Sequence, residues 1–522
     1  MSPIRRNLIA NVAGRAWSTL SVYLFVPFYL DFLGIEAYAL VTLYAILLNV
    51  LVVADLGVKA TLSREMARLS TDPANSRNLR DLLRTVEVLL WVLSLAMAIG
   101  LVLAAPLLAN RWVNPERMDA ATLVGAFRLM GLSVSLFFLS QLYQAGLLGL
   151  QRHVLLNSVL IGLGVVRGFG SILVLWLFAP TITAFFTCQV AVNGVQAGLL
   201  AVLLWRSVPR AGTGPRFRGE LLRSTWQYTV GMALISLNAA VLSQLDRLVV
   251  STWLPLSSLG VYGLASLLAQ SLVVLVSPLG IALLPWFTQL VQGGQSVPLE
   301  SAYHKFSQLA TVLAGPVAAV LALFPAQVLF AWTGDLALAD QARHITPLLA
   351  TGSFCLALMV VPNGLSLAHG WTSLNVAVGF VALVVFAPLT AWLAVEYGAT
   401  GCAWAWLFLH STTLLVYVPL LHRRLLTGST RRWGVRDTGA PLLAAISVCA
   451  LARWVTPVQL PPAYLFVWLG FVWLAACLAA CVAAPDVRRQ VFGLARWAVT
   501  RFVGRRGYTP AAASPASSSS CS

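Results

Sequence analysis

Charge is what this sequence is short of. Only 10% of its residues are Asp, Glu, Lys or Arg, against roughly a quarter in an ordinary soluble domain, which argues against a water-soluble globular chain of this length. Acidic residues are the scarcer kind, 17 against 34 basic ones, and Lys59 and Lys305 are the two lysines. The seven cysteines, Cys188, Cys355, Cys402, Cys449, Cys477, Cys481 and Cys521, are scattered and mostly within apolar runs. Neither a disulfide framework nor a metal site follows from them. Cys477 and Cys481 lie one helical turn apart, as packing cysteines do, since buried Cys behaves as a small hydrophobe. The six histidines are spread out, and only His410 falls well inside an apolar run, where packing explains it. No nucleotide loop, metal cluster or nucleophile–base signature is visible, so no cofactor and no metal are expected. Ten-residue segments of alternating hydrophobicity do not dominate either, which argues against a transmembrane barrel.

What the chain does have is long apolar runs. Hydrophobic residues make up 59% of it and mean hydropathy is +0.84. Crossing about 30 Å of hydrocarbon takes about 20 apolar residues, and a helix satisfies its own backbone groups there. The runs predict an all-α polytopic membrane protein with about fourteen transmembrane helices. These are expected near 8–30, 38–60, 86–108, 122–149, 154–178, 182–204, 225–251, 259–288, 306–330, 346–367, 373–395, 401–421, 439–456 and 464–484. A net charge of +17 would suit a nucleic-acid binder, but nearly all of it sits in short loops between runs. Positive-inside bias explains that distribution. Arg5 and Arg6, the run from Arg64 to Arg84, the loop from Arg206 to Arg223, the five arginines between His422 and Arg436, and the basic tail from Arg488 all fall on one side. Both termini are therefore expected on the cytoplasmic side of the membrane. No cleavable signal is apparent. The Ala/Ser/Pro-rich end has nothing to bury and is expected to be disordered.

The chain also echoes itself. Leu56-Gly57-Val58, late in the second span, is answered by Leu279-Gly280-Ile281 late in the eighth, and Ala37-Tyr38-Ala39-Leu40 by Gly260-Val261-Tyr262-Gly263-Leu264. Units of six spans enter from the same side and so form parallel repeats. The expected organisation is a lobe of helices 1–6 over 1–205, a cytoplasmic inter-lobe loop over 206–223 and a lobe of helices 7–12 over 224–421. Two further peripheral helices occupy 422–484, and a basic, then disordered tail occupies 485–522.

Several stretches carry a resemblance. Pro27 ends the first span, Leu33-Gly34 and Tyr38 mark the turn, and Asp55-Leu56-Gly57 and Arg64-Glu65-Met66-Ala67-Arg68 follow. Further on come Tyr143-Gln144-Ala145-Gly146-Leu147-Leu148-Gly149-Leu150-Gln151-Arg152, Leu245-Asp246-Arg247-Leu248-Val249-Val250 and Gly398-Ala399-Thr400-Gly401-Cys402-Ala403. In order and spacing these resemble the O-antigen and polysaccharide flippases of the multidrug/oligosaccharidyl-lipid/polysaccharide exporter superfamily, over roughly residues 5–425. The resemblance implies a V-shaped bundle of two lobes around a central cavity open alternately to each side. It also implies a polyprenyl-diphosphate-linked oligosaccharide as cargo, for O-antigen, capsule or exopolysaccharide synthesis, with a polymerase and glycosyltransferases as candidate partners.

The polar content of the spans gives an independent line. A charge at the bilayer centre costs about 3 kcal/mol on insertion scales, yet Arg15, Arg128, Arg167 and the Asp246–Arg247 pair fall inside expected spans. They lie on polar stripes at helical spacing: Asn7, Asn11, Arg15 and Ser18; Gly164, Arg167 and Ser171; Ser236, Ala240, Ser243 and Arg247; Ser266, Gln270 and Ser277. Such faces belong against protein or water. Arg15, Arg128, Arg167, Arg247, Asn11, Ser243 and Gln270 are thus candidate substrate-binding residues, since arginine's planar fork suits phosphate oxygens. Asp55, Gly57, Asp246 and Gly280 are candidates for structural or gating roles. An enzyme is not expected. A lipid II-type flippase, an ion-coupled small-molecule antiporter of the same superfamily and a membrane-embedded glycosyltransferase or polymerase remain open, although the first span holds no acid before Asp31 and the outside loops are short.

Overall fold

The computed structural model describes residues 3–51, 58–72, 75–209, 214–219, 241–456 and 460–490. Its elements are α-helical throughout these residues apart from one π-helix, and eleven helices are long and apolar enough to cross a membrane. Two of them each carry two expected spans. α1 (Pro3–Leu51) is 49 residues long, which at 1.5 Å per residue is about 70 Å, far more than one bilayer crossing. It breaks at Gly34, whose φ of 75° and ψ of 170° lie in a region essentially restricted to glycine. The 54-residue α14 (Thr372–Leu425) breaks in the same way at Gly398, φ 61°. Between them run α2 (Val58–Leu69), α3 (Ser76–Arg111), α4 (Ala120–Gly149), α5 (His153–Leu177), α6 (Ile182–Ser207), α7 (241–253), α8 (Leu256–Gln292), α9 (Ser296–Leu323), α10 (Pro325–Thr333), α11 (Leu336–Ala342), α12 (Ile345–Leu358) and α13 (Val360–Ala368). After α14 come α15 (Ser429–Arg432), the π-helix Trp433–Gly439, α16 (Ala440–Val455) and α17 (Pro462–Ala483). Most of the expected seventh span lies outside the described residues, so the described helices do not add up to a count of fourteen. Asp55 and Gly57 also lie outside them.

Some boundaries differ from expectation, and charged residues explain why. The third helix begins at Ser76 rather than near 86, because its charged first turns are satisfied by tertiary contacts. Buried Asp81 pairs with Arg218 at 3.1 Å and accepts the Arg216 N–H at 2.8 Å. Buried Glu87 accepts from the Tyr143 hydroxyl and the Trp205 indole N–H, both at 3.0 Å. The stretch expected as a loop from His422 to Arg436 is largely helical, in α15 and the π-helix.

The apolar core divides in a way that sets the shape. One cluster joins both halves of the chain: Tyr29, Leu43 and Phe127 pack with Tyr262, Leu264 and Trp406. At the opposite end the halves have separate cores, one built on Leu62, Leu83, Tyr143 and Leu204 and the other on Phe287, Tyr303, Tyr417 and Trp433. Two halves fused at one end and separately packed at the other form a V, and the diverging end is the arginine-rich one. At the joined end Asn114 pairs with Pro255 across the halves. Its side chain donates to the Thr252 carbonyl at 3.1 Å, its own carbonyl accepts the Leu256 N–H at 2.9 Å, and the Trp112 indole donates to Ser251 at 3.0 Å. α16 and α17 pack on the outside of α9, where Ala445, Cys449 and Ala476 meet Val312, Ala319 and Phe324.

Candidate functional site

Between the arms of the V lies a cavity of about 580 Å³, within the range that small-ligand sites occupy. Aromatic rings, among them Trp17, Phe25, Tyr29, Tyr38 and Tyr44, form much of its wall. Six carboxamides also reach it: Asn49, Gln141, Gln144, Gln189, Gln196 and Gln270. Its charged lining residues, among those described, are Arg167 and Arg247, with no carboxylate beside them.

Arg167 sits 14 residues into α5, about 21 Å along the helix. One guanidinium nitrogen, Nη2, donates to Asn193 Oδ1 at 2.6 Å and Gln196 Oε1 at 3.0 Å. Both acceptors are themselves held. Asn193 donates to Ser133 Oγ at 2.9 Å and Tyr44 Oη at 3.0 Å, and Gln196 donates to Ser140 at 3.0 Å. Neutral amides therefore aim the cation without cancelling it. Its Nε is buried with no hydrogen-bond partner among the described residues. An unpartnered buried cationic N–H is costly, and the guanidinium keeps its full charge beside the cavity.

Arg247, from the other half, resembles it. Nη1 donates to Gln244 Oε1 at 3.1 Å, and Nε is again buried without a partner. Neighbouring Asp246 is 5% exposed; its Oδ2 accepts from the Tyr262 hydroxyl at 2.7 Å and its Oδ1 is buried without a hydrogen-bond partner among the described residues. No direct Asp246–Arg247 ion pair is seen among the described residues.

The other candidates divide. Gln270 lines the cavity. Asn11 does not; it ties α1 to α5, accepting from Asn157 at 2.7 Å and meeting His153 at 3.4 Å. Ser243 is exposed and contacts Gln244 rather than the cavity. Arg15 is exposed one turn before Ser18, outside the lining. Arg128 departs furthest from expectation. It is exposed, and it stands nine residues before Phe137, two and a half turns along α4 and so on the face opposite Phe137 and the cavity. Gly280 lies against Val360 of α13, 3.0 Å from where a Cβ would sit. The residues that the sequence reading missed are the α6 amides Gln189, Asn193 and Gln196, all buried. Their spacing of four and three residues was a legible helical stripe.

Against known proteins, the sequence profile described as "Polysaccharide biosynthesis protein" matches residues 4–291, more than half of the chain. The chain belongs to that family. A second profile, MatE, matches residues 232–392. A curated relative, "Putative O-antigen transporter" of Shigella flexneri, is 22% identical over 408 residues, 77% of this chain and 94% of its own. Among solved structures, the lipid II flippase MurJ in an inward closed conformation aligns with TM-score 0.63 at 11% identity, over 91% of this chain and 98% of that one. A multidrug-resistance MATE transporter of the MOP superfamily, inward-facing, aligns with TM-score 0.61 at 14% identity over 80% and 94%. At such identities these structures show a shared fold. This member of the polysaccharide biosynthesis protein family is accordingly a multi-pass membrane protein.

Proposed function

We propose that this transporter flips a polyprenyl-diphosphate-linked oligosaccharide from the cytoplasmic to the outer leaflet of the bacterial inner membrane, with both termini cytoplasmic. Helices 1–6 and 7–12 act as the two lobes, with α16 and α17 peripheral. The observation that carries this reading is the cavity itself. It offers an arginine from each half, each with an unpartnered Nε, and six amides but no carboxylate among its described lining residues. The two arginines suit the diphosphate, because guanidinium pairs well with phosphate oxygens. The amides suit sugar hydroxyls, which would each cost several kcal/mol to strip of hydrogen bonds in hydrocarbon. The joined end, on the side of the acidic Asp31–Glu36 turn, faces outward on charge bias, so the V opens to the cytoplasm, where such a cargo is loaded.

Complementation of a flippase-deficient strain, with membrane abundance measured in parallel, tests this. Arg167→Ala should abolish export at normal abundance, and Arg167→Lys should restore part of it, keeping the charge but losing the fork. Arg247→Ala should also lower export, since Arg247 lines the cavity and forms no direct ion pair with Asp246 among the described residues. Full export by the Arg167→Ala, Arg247→Ala double variant would end the cationic-cavity reading.

A further inference from the structure

A second buried polar centre lies far from the cavity, at the arginine-rich end of the second half, and the transport route does not use it. His304 of α9 and Asp437 of the π-helix are both fully buried and in direct contact through Nδ1 and Oδ2. Gln308, one turn on from His304, donates to Asp437 Oδ1 at 2.8 Å and to Asp486 Oδ2 at 2.9 Å, and accepts the Asp486 N–H at 2.9 Å. Asp437 precedes α16 and Asp486 follows α17, so this cluster fastens both feet of the terminal hairpin to α9. The π-helix that places Asp437 is a rare conformation that concentrates at functional positions.

One feature separates the centre from a simple structural pair. The remaining ring nitrogen, His304 Nε2, is buried without a hydrogen-bond partner among the described residues, and Glu300 Oε1 stands 3.7 Å away. With Nδ1–H given to Asp437, a neutral ring turns a lone pair toward a carboxylate. A proton on Nε2 converts that contact into attraction.

The charged neighbours come from several elements. Glu300 comes from the same helix, Asp437 from the π-helix and Asp486 from beyond α17. Arg432 lies 3.9 Å from Glu300 and Arg489 4.0 Å from Asp486, both on the rim. His422 of α14 meets neighbouring Tyr303 at 2.8 Å. α8, α10, α12, α13 and α17, which also pack on α9, contain no Asp, Glu, Lys, Arg or His, and Arg453 of α16 lies at the far end of α9, against the Leu323 carbonyl. Without a proton on His304, Glu300 and Asp486 keep rim arginines at 3.9 and 4.0 Å, and buried Asp437 has no cation in contact among the described residues.

We propose that His304, with Asp437 and Glu300, is a proton-binding site that clamps the α16–α17 hairpin onto the second half when occupied and loosens it when empty. Glu300, with a side chain 46% exposed, connects the buried nitrogen to solvent on that face.

Hydrogen–deuterium exchange on the full-length protein in lipid nanodiscs, from about pH 5.5 to about pH 8.5 around histidine's ordinary range, tests this. Exchange of peptides covering 433–439 and 484–490 is normalised to the unprotected rate at each pH. If opening releases one proton, the opening equilibrium in the wild type rises with pH by up to about tenfold per unit. His304→Gln, which keeps an amide donor for Asp437 but does not titrate, should show a flat profile. Glu300→Gln, at a half-exposed position, should move the wild-type midpoint to lower pH. A flat wild-type profile would overturn the proposal without any variant, as would an equal slope in His304→Gln or an unmoved midpoint in Glu300→Gln.

Discussion

Arg167 illustrates how a buried cation is kept available. Had its partners been carboxylates, the side chain would be a neutralised structural pair; Asn193 and Gln196 instead satisfy part of the fork and leave its charge intact. Asn193→Asp should then be a sharper probe than any deletion. The substitution preserves size and can still accept from Arg167, and although it loses the amide donation to the Ser133 backbone oxygen, the Ser133 and Tyr44 hydroxyls can turn to donate to it; export should fall at least about tenfold, and further than abundance, because the added negative charge opposes the proposed diphosphate. An equal loss of abundance and export would assign Asn193 a purely structural role. Arg128 makes the opposite case. It is exposed, eight residues into α4, about 12 Å from that helix's start, where a long side chain can run toward the headgroups. Arg128→Ala should leave complementation unchanged. Both arginines read alike in the sequence, because each is a cation within an apolar run. What separates them is the face of the helix. α4 is buried by α3 on one flank and α6 on another, and no periodicity in its residues says which remaining strip faces the cavity.

Helices were the most legible level of this chain, since apolar runs of membrane length have few alternatives. Even so, α3 and the segment after α14 were read as loops where they carry charge. Asp81 and Asp437 are paired by residues far away in sequence, and Glu87 is held by Tyr143 and Trp205 as well as by nearby Arg84, and a local reading does not reach the distant partners. The α6 stripe, in contrast, was fully present in the sequence and was missed because amides attract less notice than charges. The breaks within α1 and α14 give the element-level prediction. Gly34 and Gly398 have no atom within 4 Å of a Cβ position, so Gly34→Ala and Gly398→Ala meet no steric neighbour and act through the backbone alone. Each should cost on the order of 1–3 kcal/mol, seen as a lower thermal midpoint of the purified protein. Gly470→Ala, within α17 and also free of neighbours, should instead be neutral or slightly stabilising, because alanine is the better helix former. Equal effects at all three positions would remove the special role of the two turns.

The halves touch through a seam at their joined end, and the energetics of that seam decide whether the molecule can alternate. It combines a shared apolar cluster with a few polar contacts: Asn114 against the backbone of 252–256, Trp112 on Ser251, and the Trp332 indole on the Tyr23 carbonyl at 2.9 Å. At about 1 kcal/mol net each, these hydrogen bonds are weak enough to exchange for water if the joined end opens. The bridge between Asn114 and Pro255 brings two backbones to roughly the 4.8 Å separation of paired strands, inside the span a disulfide can bridge. In a background lacking the seven native cysteines, Asn114→Cys with Pro255→Cys should cross-link under mild oxidation. If export requires the seam to part, the oxidised protein should fail to complement while remaining at normal abundance, and reductant should restore export within the same cells. Each single-cysteine variant should export normally under both conditions, which separates the cross-link from damage by either substitution. Undiminished export with the bond quantitatively formed would mean that cargo leaves by a route that never opens this end, and the arrangement of one shared core and two separate ones would then need a different mechanical reading.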